Sequence, residues 1–232
     1  MKIIISVVVG LWAPFLFGQS AIHWDTISEE LNPTSICENQ AEKVFDILLN
    51  SPAFDWTDRD NNCEDRANAV TLILDKWNVS NGKIWIFSGK SASYGDKRGM
   101  LDGWSYHVAA CIFVGNENGF DTLIIDPVSS PYKLLSIHEW VEISTVNPTN
   151  IYFFTGNDKY QQNRVELYPT WKSAEDYFDA TIKGLTRYNA YSAWTRFKTK
   201  KYLKQNLAKV TKEFTKLYET DLDRIEKISC DE

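Results

Sequence analysis

Cys63, His107 and Asp126 are the residues of this sequence whose types and spacing could together do nucleophilic chemistry. Cys63 sits in the run Asp60-Asn61-Asn62-Cys63-Glu64-Asp65-Arg66-Ala67. Asp60, Asn61 and Asn62 all favour helix N-caps, because their short polar side chains accept from backbone N–H groups that lack a helical partner. The thiol is therefore expected in a first helical turn. The unpaired N–H groups and the helix dipole there favour a thiolate and could also hold an oxyanion. Glu64 and Asp65 oppose this with negative charge beside the sulfur, although both suit a helix start. His107 opens an apolar stretch, and Asp126 closes another, Leu123-Ile124-Ile125-Asp126-Pro127. Read singly, these residues fit a structural cysteine, a satisfied core histidine and a turn-forming acid. Read together, they have the order a thiol site needs: a base to take the proton and an acid to hold the imidazole in one tautomer.

The elements that must position them are legible in the apolar periods. Ala41, Val44, Phe45, Leu48 and Leu49 recur at helical spacing between Cys37 and Leu49, and Ser51-Pro52 ends that helix. A second helix spans Cys63 to Trp77, with Ala67, Val70, Leu74 and Trp77 inward. The pattern then alternates. Lys83–Phe87 and Tyr106–Val114 read as strands, with a Gly/Ser/Lys loop between them from Ser88 to Gly103. Asn116-Glu117-Asn118-Gly119 is a hairpin signal, and Asp121–Asp126 is a third strand. That hairpin puts His107 and Asp126 at about the same distance from the turn. Tyr132–Val141 and Ile151–Phe154 are weaker candidates for further structure. Trp171–Leu185 is helical, and Ala193–Ser229 holds neither Gly nor Pro, with a seam from Leu203 through Leu217 that slips before Leu222. This last helix either packs on its own domain or offers a surface for self-association. Its basic start and acidic end read as a solvated face. The expected fold is α+β, with a helix bearing the cysteine packed on an antiparallel sheet bearing His and Asp.

Composition bounds the partners. Of the 232 residues, 44% are hydrophobic and 24% charged, with a net charge of −6, so an ordinary globular domain is expected and a nucleic-acid partner is not. Lys2, the apolar run Ile3–Phe17 and the small or polar Gly18–Ala21 read as a secretory signal. The expected division is a signal peptide over 1–20, a catalytic domain over 21–169 and a helical extension over 170–232. The expected location is secreted or periplasmic, without stable membrane association. Export permits disulfides, and Cys37 with Cys230 could staple the two ends, while Cys111 reads as a buried thiol. No metal or organic cofactor is expected, since the close-spaced Cys or His pairs of a zinc site are missing. His23 and His138 read as surface or structural, with His138 a fallback base.

Several stretches resemble the bacterial secreted protein glutaminases, which convert protein-bound glutamine to glutamate with release of ammonia. They are Cys63-x-x-Arg66-Ala67, Lys83-Ile84, Trp104-Ser105-Tyr106-His107-Val108-Ala109 and Ile125-Asp126-Pro127. The chain departs from the family pattern at Asn62, Asp65 and Asn68. The resemblance implies a papain- or transglutaminase-like core and a catalytic triad of Cys63, His107 and Asp126. It also implies glutamine-bearing protein or peptide substrates and a cysteine thioester intermediate. Trp104, Ser105, Tyr106 and Trp85 are candidates to line the substrate cleft. A transglutaminase or a cysteine peptidase would use the same triad. An exported binding protein acting through its C-terminal helices is the non-catalytic alternative.

Overall fold

The computed structural model describes residues 33–57, 63–87, 106–145, 151–157, 159–163, 166–169, 174–191, 196–220, 225, 228 and 230. The signal segment, His23, Trp104, Ser105 and the loop from Ser88 to Gly103 lie outside them. Helix α1 is Glu38–Leu49 and buries Ala41, Val44, Phe45 and Leu48, the face its spacing dictates. Helix α2 is Cys63–Lys76, and every residue from Arg66 to Leu74 is buried. A helix covered on all sides is the centre of a core, not its surface layer.

Strands β1 (Asn81–Phe87), β2 (Tyr106–Asn116), β3 (Gly119–Ile125), β4 (Leu135–Ser136) and β5 (Ile151–Thr155) form one sheet in the order β4-β3-β2-β1-β5. Every pairing between them is antiparallel. The central strand β2 serves two cores. Ala110, Ile112 and Val114 face α1 and α2, while Ala109, Cys111 and Phe113 pack with Ile84, Ile124 and Trp140 on the other side. With both faces covered, β2 reads as an unbroken apolar run instead of alternating with polar residues. The β2–β3 turn needs Gly119, whose φ of 129° is costly for any residue with a Cβ.

The weak candidate at Tyr132–Val141 resolves into β4 and a short helix, α3 (Ile137–Ser144). Ser136 starts that helix with a reciprocal capping box. Its backbone N–H donates to Glu139 at 2.8 Å, and its Oγ accepts from the Glu139 N–H at 3.3 Å. A second hairpin, β6 (Lys159–Asn163) with β7 (Glu166–Pro169), was not expected from the sequence.

Helix α4 (Ala174–Tyr191) runs past the expected end at Leu185. Helix α5 (Arg196–Tyr218) stops short of the expected Ser229, just before the seam slips at Leu222. Ile182 and Leu185 of α4 and Phe214 and Leu217 of α5 belong to the same buried cluster as α1 and α2. Phe178 meets Phe214 and Tyr218 edge-on or tilted at 5.3 and 5.0 Å, which locks the two helices together. The chain then returns to its start. Ile225 is buried, Gln40 Nε2 donates to its carbonyl at 3.4 Å, and Cys37 and Cys230 are disulfide-bonded, the pairing that their places near the two ends left possible.

Candidate active site

Helix α2 begins at Cys63, so the sulfur lies in its first turn. Asp126 directly follows Ile125, which pairs with Ala110 on β2. By alternation along the strands, Asp126 therefore faces the same side as Ala109 and His107. The two side chains meet there, His107 Nε2 at 2.7 Å from Asp126 Oδ2, with exposures of 3% and 5%. Such burial excludes water, so the pairing keeps most of its electrostatic strength.

Two residues absent from the sequence reading complete this arrangement. Ser129 Oγ donates to Asp126 Oδ2 at 2.6 Å, and the Trp140 indole N–H donates to the same oxygen at 2.9 Å. The Trp140 ring also stacks on the His107 imidazole, with centroids 5.4 Å apart and planes 20° apart. Burial alone would raise the Asp126 carboxyl, but the His107 charge, then the bonds from His107, Ser129 and Trp140, outweigh it. The acid is held well below the ordinary carboxylate range and stays ionised. The signal for Trp140 was present: the Ser136-x-x-Glu139 capping box predicts a helix start, and Trp140 follows it directly.

Cys63, His107 and Asp126 line one cleft together with Trp56, Arg66 and Val108. Trp56 is anchored by its indole N–H to the Leu48 carbonyl at 3.1 Å and by stacking on Phe54 at 4.6 Å. Arg66 is buried and donates from Nη1 to the Asp55 carbonyl at 3.3 Å. Neither was among the expected cleft residues.

The thiol itself differs from expectation. A lowered pKa was expected at the helix start, yet burial, then the Glu64 charge, push the Cys63 thiol well up. Arg66 and the Val108 backbone N–H oppose this without prevailing. Cys63 Sγ donates to Glu64 Oε2 at 3.5 Å. Burial raises the Glu64 carboxyl too. Burial and the neighbouring carboxylate thus favour the protonated thiol over a preformed thiolate.

Tyr106 is half-buried at the start of β2 and packs with Cys63 against Ala67, Trp85 and Val108. Trp85 is fully buried, its indole N–H donating to Thr155 Oγ1 at 2.9 Å. A wholly covered ring cannot touch substrate, so Trp85 packs in the small cluster with Cys63 and Tyr106 instead of forming a cleft wall. His138 is 82% exposed and pairs with Glu142 at 3.2 Å on the outside of α3, away from the cleft-lining residues. Among the described residues, no cluster of three or more His, Cys, Asp or Glu is arranged to hold a metal ion, and no helix is long and apolar enough to cross a membrane.

Residues 38–144 match a family described as glutaminase. The resemblance read from the motifs is to the glutaminases of that family. No curated protein matches the chain in sequence. Among solved structures, a protein-glutaminase superposes with a TM-score of 0.52 at 17% identity, covering 69% of this chain and 90% of that one. A pro-protein-glutaminase gives 0.51 at 18% identity, with 66% of this chain and 59% of the other covered. Its A47Q2 mutant gives 0.53 at 18% identity over 70% and 60%. The chain thus spans about three fifths of the pro-forms' length. At these identities the likeness shows the fold: α+β, an antiparallel sheet with helices.

Proposed function

We propose that this chain is an exported cysteine amidohydrolase that deamidates protein-bound glutamine. The observation that carries the reading is the placement of Cys63, at a helix start, in one cleft with the buried His107–Asp126 pair. The glutaminase match over residues 38–144 supports the choice of reaction. The arrangement also supports a papain- or transglutaminase-like reading of the core, with residues 170–232 as a helical extension of it.

Because Asp126 holds His107 through Nε2, the proton exchanged with Cys63 runs through Nδ1. His107 takes the thiol proton as the sulfur attacks the glutamine amide carbon, so base and nucleophile act in the same step. This suits a thiol that is protonated at rest. The oxyanion is held by the Cys63 backbone N–H, one of the unpaired donors of the first turn. His107 then protonates the departing ammonia, and water activated by the same nitrogen hydrolyses the thioester to glutamate.

The test is ammonia release from casein by the chain and by Cys63→Ala. Ammonia from the first and none from the second, without new peptide fragments, is the expected result. New fragments would identify a peptidase. Ammonia release that depends on an added primary amine would identify a transglutaminase. Silence from both variants would overturn the enzymatic reading.

A further inference from the structure

Glu64 stands beside the nucleophile but has no part in the proton transfers of Cys63, His107 and Asp126. Its carboxylate is half-buried, and Oε2 accepts from Cys63 Sγ at 3.5 Å. The charged groups that act on it are Arg66, on its own helix, and His107, on β2. We propose that Glu64 is a specificity-determining residue that selects the amide over the acid. Its carboxylate accepts a hydrogen bond from the side-chain NH₂ of the substrate and repels the carboxylate of the glutamate product. This inference rests on the deamidase reading and specifies the selectivity of that same site.

The chemistry of the reaction makes such a residue useful. Glutamine presents two N–H donors at its end, whereas ionised glutamate presents only acceptors. A carboxylate facing the sulfur can pair with the first and not with the second. At rest its donor is the Cys63 thiol. A carboxylate has several acceptor sites, so on entry the substrate NH₂ adds a second donor to it. After hydrolysis, two carboxylates would face each other across a half-buried cleft, where like charges repel more strongly than in bulk water. Arg66 offsets part of that repulsion, but its Nη1 is directed to the Asp55 carbonyl. Glu64 thus favours both entry of the amide and departure of the acid.

The experiment uses the Cys63→Ala chain, which binds without turnover. A blocked Gln-Gly dipeptide and its Glu-Gly counterpart are titrated into it by calorimetry at pH 7. Gln-Gly is expected to bind more tightly, and adding Glu64→Gln should reduce that preference by on the order of tenfold, through tighter binding of Glu-Gly. Glu64→Asp keeps the charge and should keep the rejection. The same comparison made on the ligand needs no change at Glu64: the γ-methyl ester of Glu-Gly should bind about tenfold better than Glu-Gly itself. Equal affinities for the amide, ester and acid, or a preference untouched by Glu64→Gln, would overturn the proposal. Ammonia release from Gln-Gly by the unmodified chain tests the reaction separately. Ammonia without amide preference removes only the role of Glu64; amide preference without ammonia removes only the deamidase reading.

Discussion

At the scale of single residues, Asp126 Oδ2 collects three donors, from His107, Ser129 and Trp140. Replacing Trp140 with Phe keeps much of the ring that stacks on His107 but deletes one hydrogen bond to a charged acceptor, worth about 1.5–3 kcal/mol. If that bond holds the imidazole in its working orientation, kcat should fall by about tenfold or more with KM little changed. A KM effect with unchanged kcat would assign the indole to substrate binding instead. Because the Asp126 carboxyl is held below its unfolded value of about 3.9, its contribution to stability is complete above that pH. It is lost as pH falls from there toward the folded value, so denaturant midpoints should drop below about pH 4, and less so in Asp126→Asn. At Cys63 the shift is upward, so iodoacetamide should label the free thiol slowly at pH 7 and faster as pH rises into the alkaline range. Glu64→Gln should speed labelling at pH 7. Cys111, buried and pushed up to about 12, should stay unlabelled in the native chain. A wild-type labelling rate already at its plateau by pH 7 would show a preformed thiolate and contradict the protonated resting state. The sequence located the thiol but not its charge state. An N-cap signal is local, whereas the burial and the folded-back Glu64 carboxylate that decide the pKa depend on how the rest of the chain covers the helix start.

At the scale of elements, α2 is braced near Cys63 by a helix from the far end of the sequence. Gly184 of α4 faces Asp65, and a Cβ at that position would overlap the Asp65 carboxylate. In an exposed helix, alanine in place of glycine gains about 1 kcal/mol. Here Asp65 would have to rotate away from α4, and overpacking of this kind costs about 1–3 kcal/mol. Gly184→Ala should therefore lower thermal stability, and adding Asp65→Ala should recover most of the loss, a coupling that a double-mutant cycle measures. Additive effects of the two changes would mean that the contact carries no stability. Such a contact joins positions 65 and 184, and no local period announces it. What was legible was the local pattern: the helical spacing of α1, the change of period at β1, and the Asn118-Gly119 turn that fixes the β2–β3 register. The β6–β7 hairpin was not legible, because Lys159, Gln161, Gln162 and Asn163 give β6 no alternation of apolar and polar residues. In the structure its strands pair with each other.

At the scale of the whole molecule, the last third of the chain closes over the first. Ile182, Leu185, Phe214, Leu217 and Ile225 share one buried cluster with α1 and α2, so helix α2 owes part of its cover to residues outside the matched segment 38–144. The bond between Cys37, just before α1, and Cys230 holds this closure across a separation of 193 residues. Joining points so far apart removes a large share of the unfolded chain's freedom. In a chain-entropy account, losing a native bridge of this kind costs about 2–5 kcal/mol. For a protein of this size that corresponds to a fall in Tm of roughly 5–15 °C. Cys230→Ser, or the wild type held in reductant, should show that fall in thermal unfolding. Near 25 °C, ammonia release should be unchanged, because Cys37 and Cys230 lie among the residues that secure the closure and not among those that line the cleft. A Tm equal with and without the bridge would mean that burial of Ile225 and the packing of α5 close the chain without covalent help. A loss of activity at 25 °C at unchanged Tm would mean that the C-terminus reaches the cleft itself.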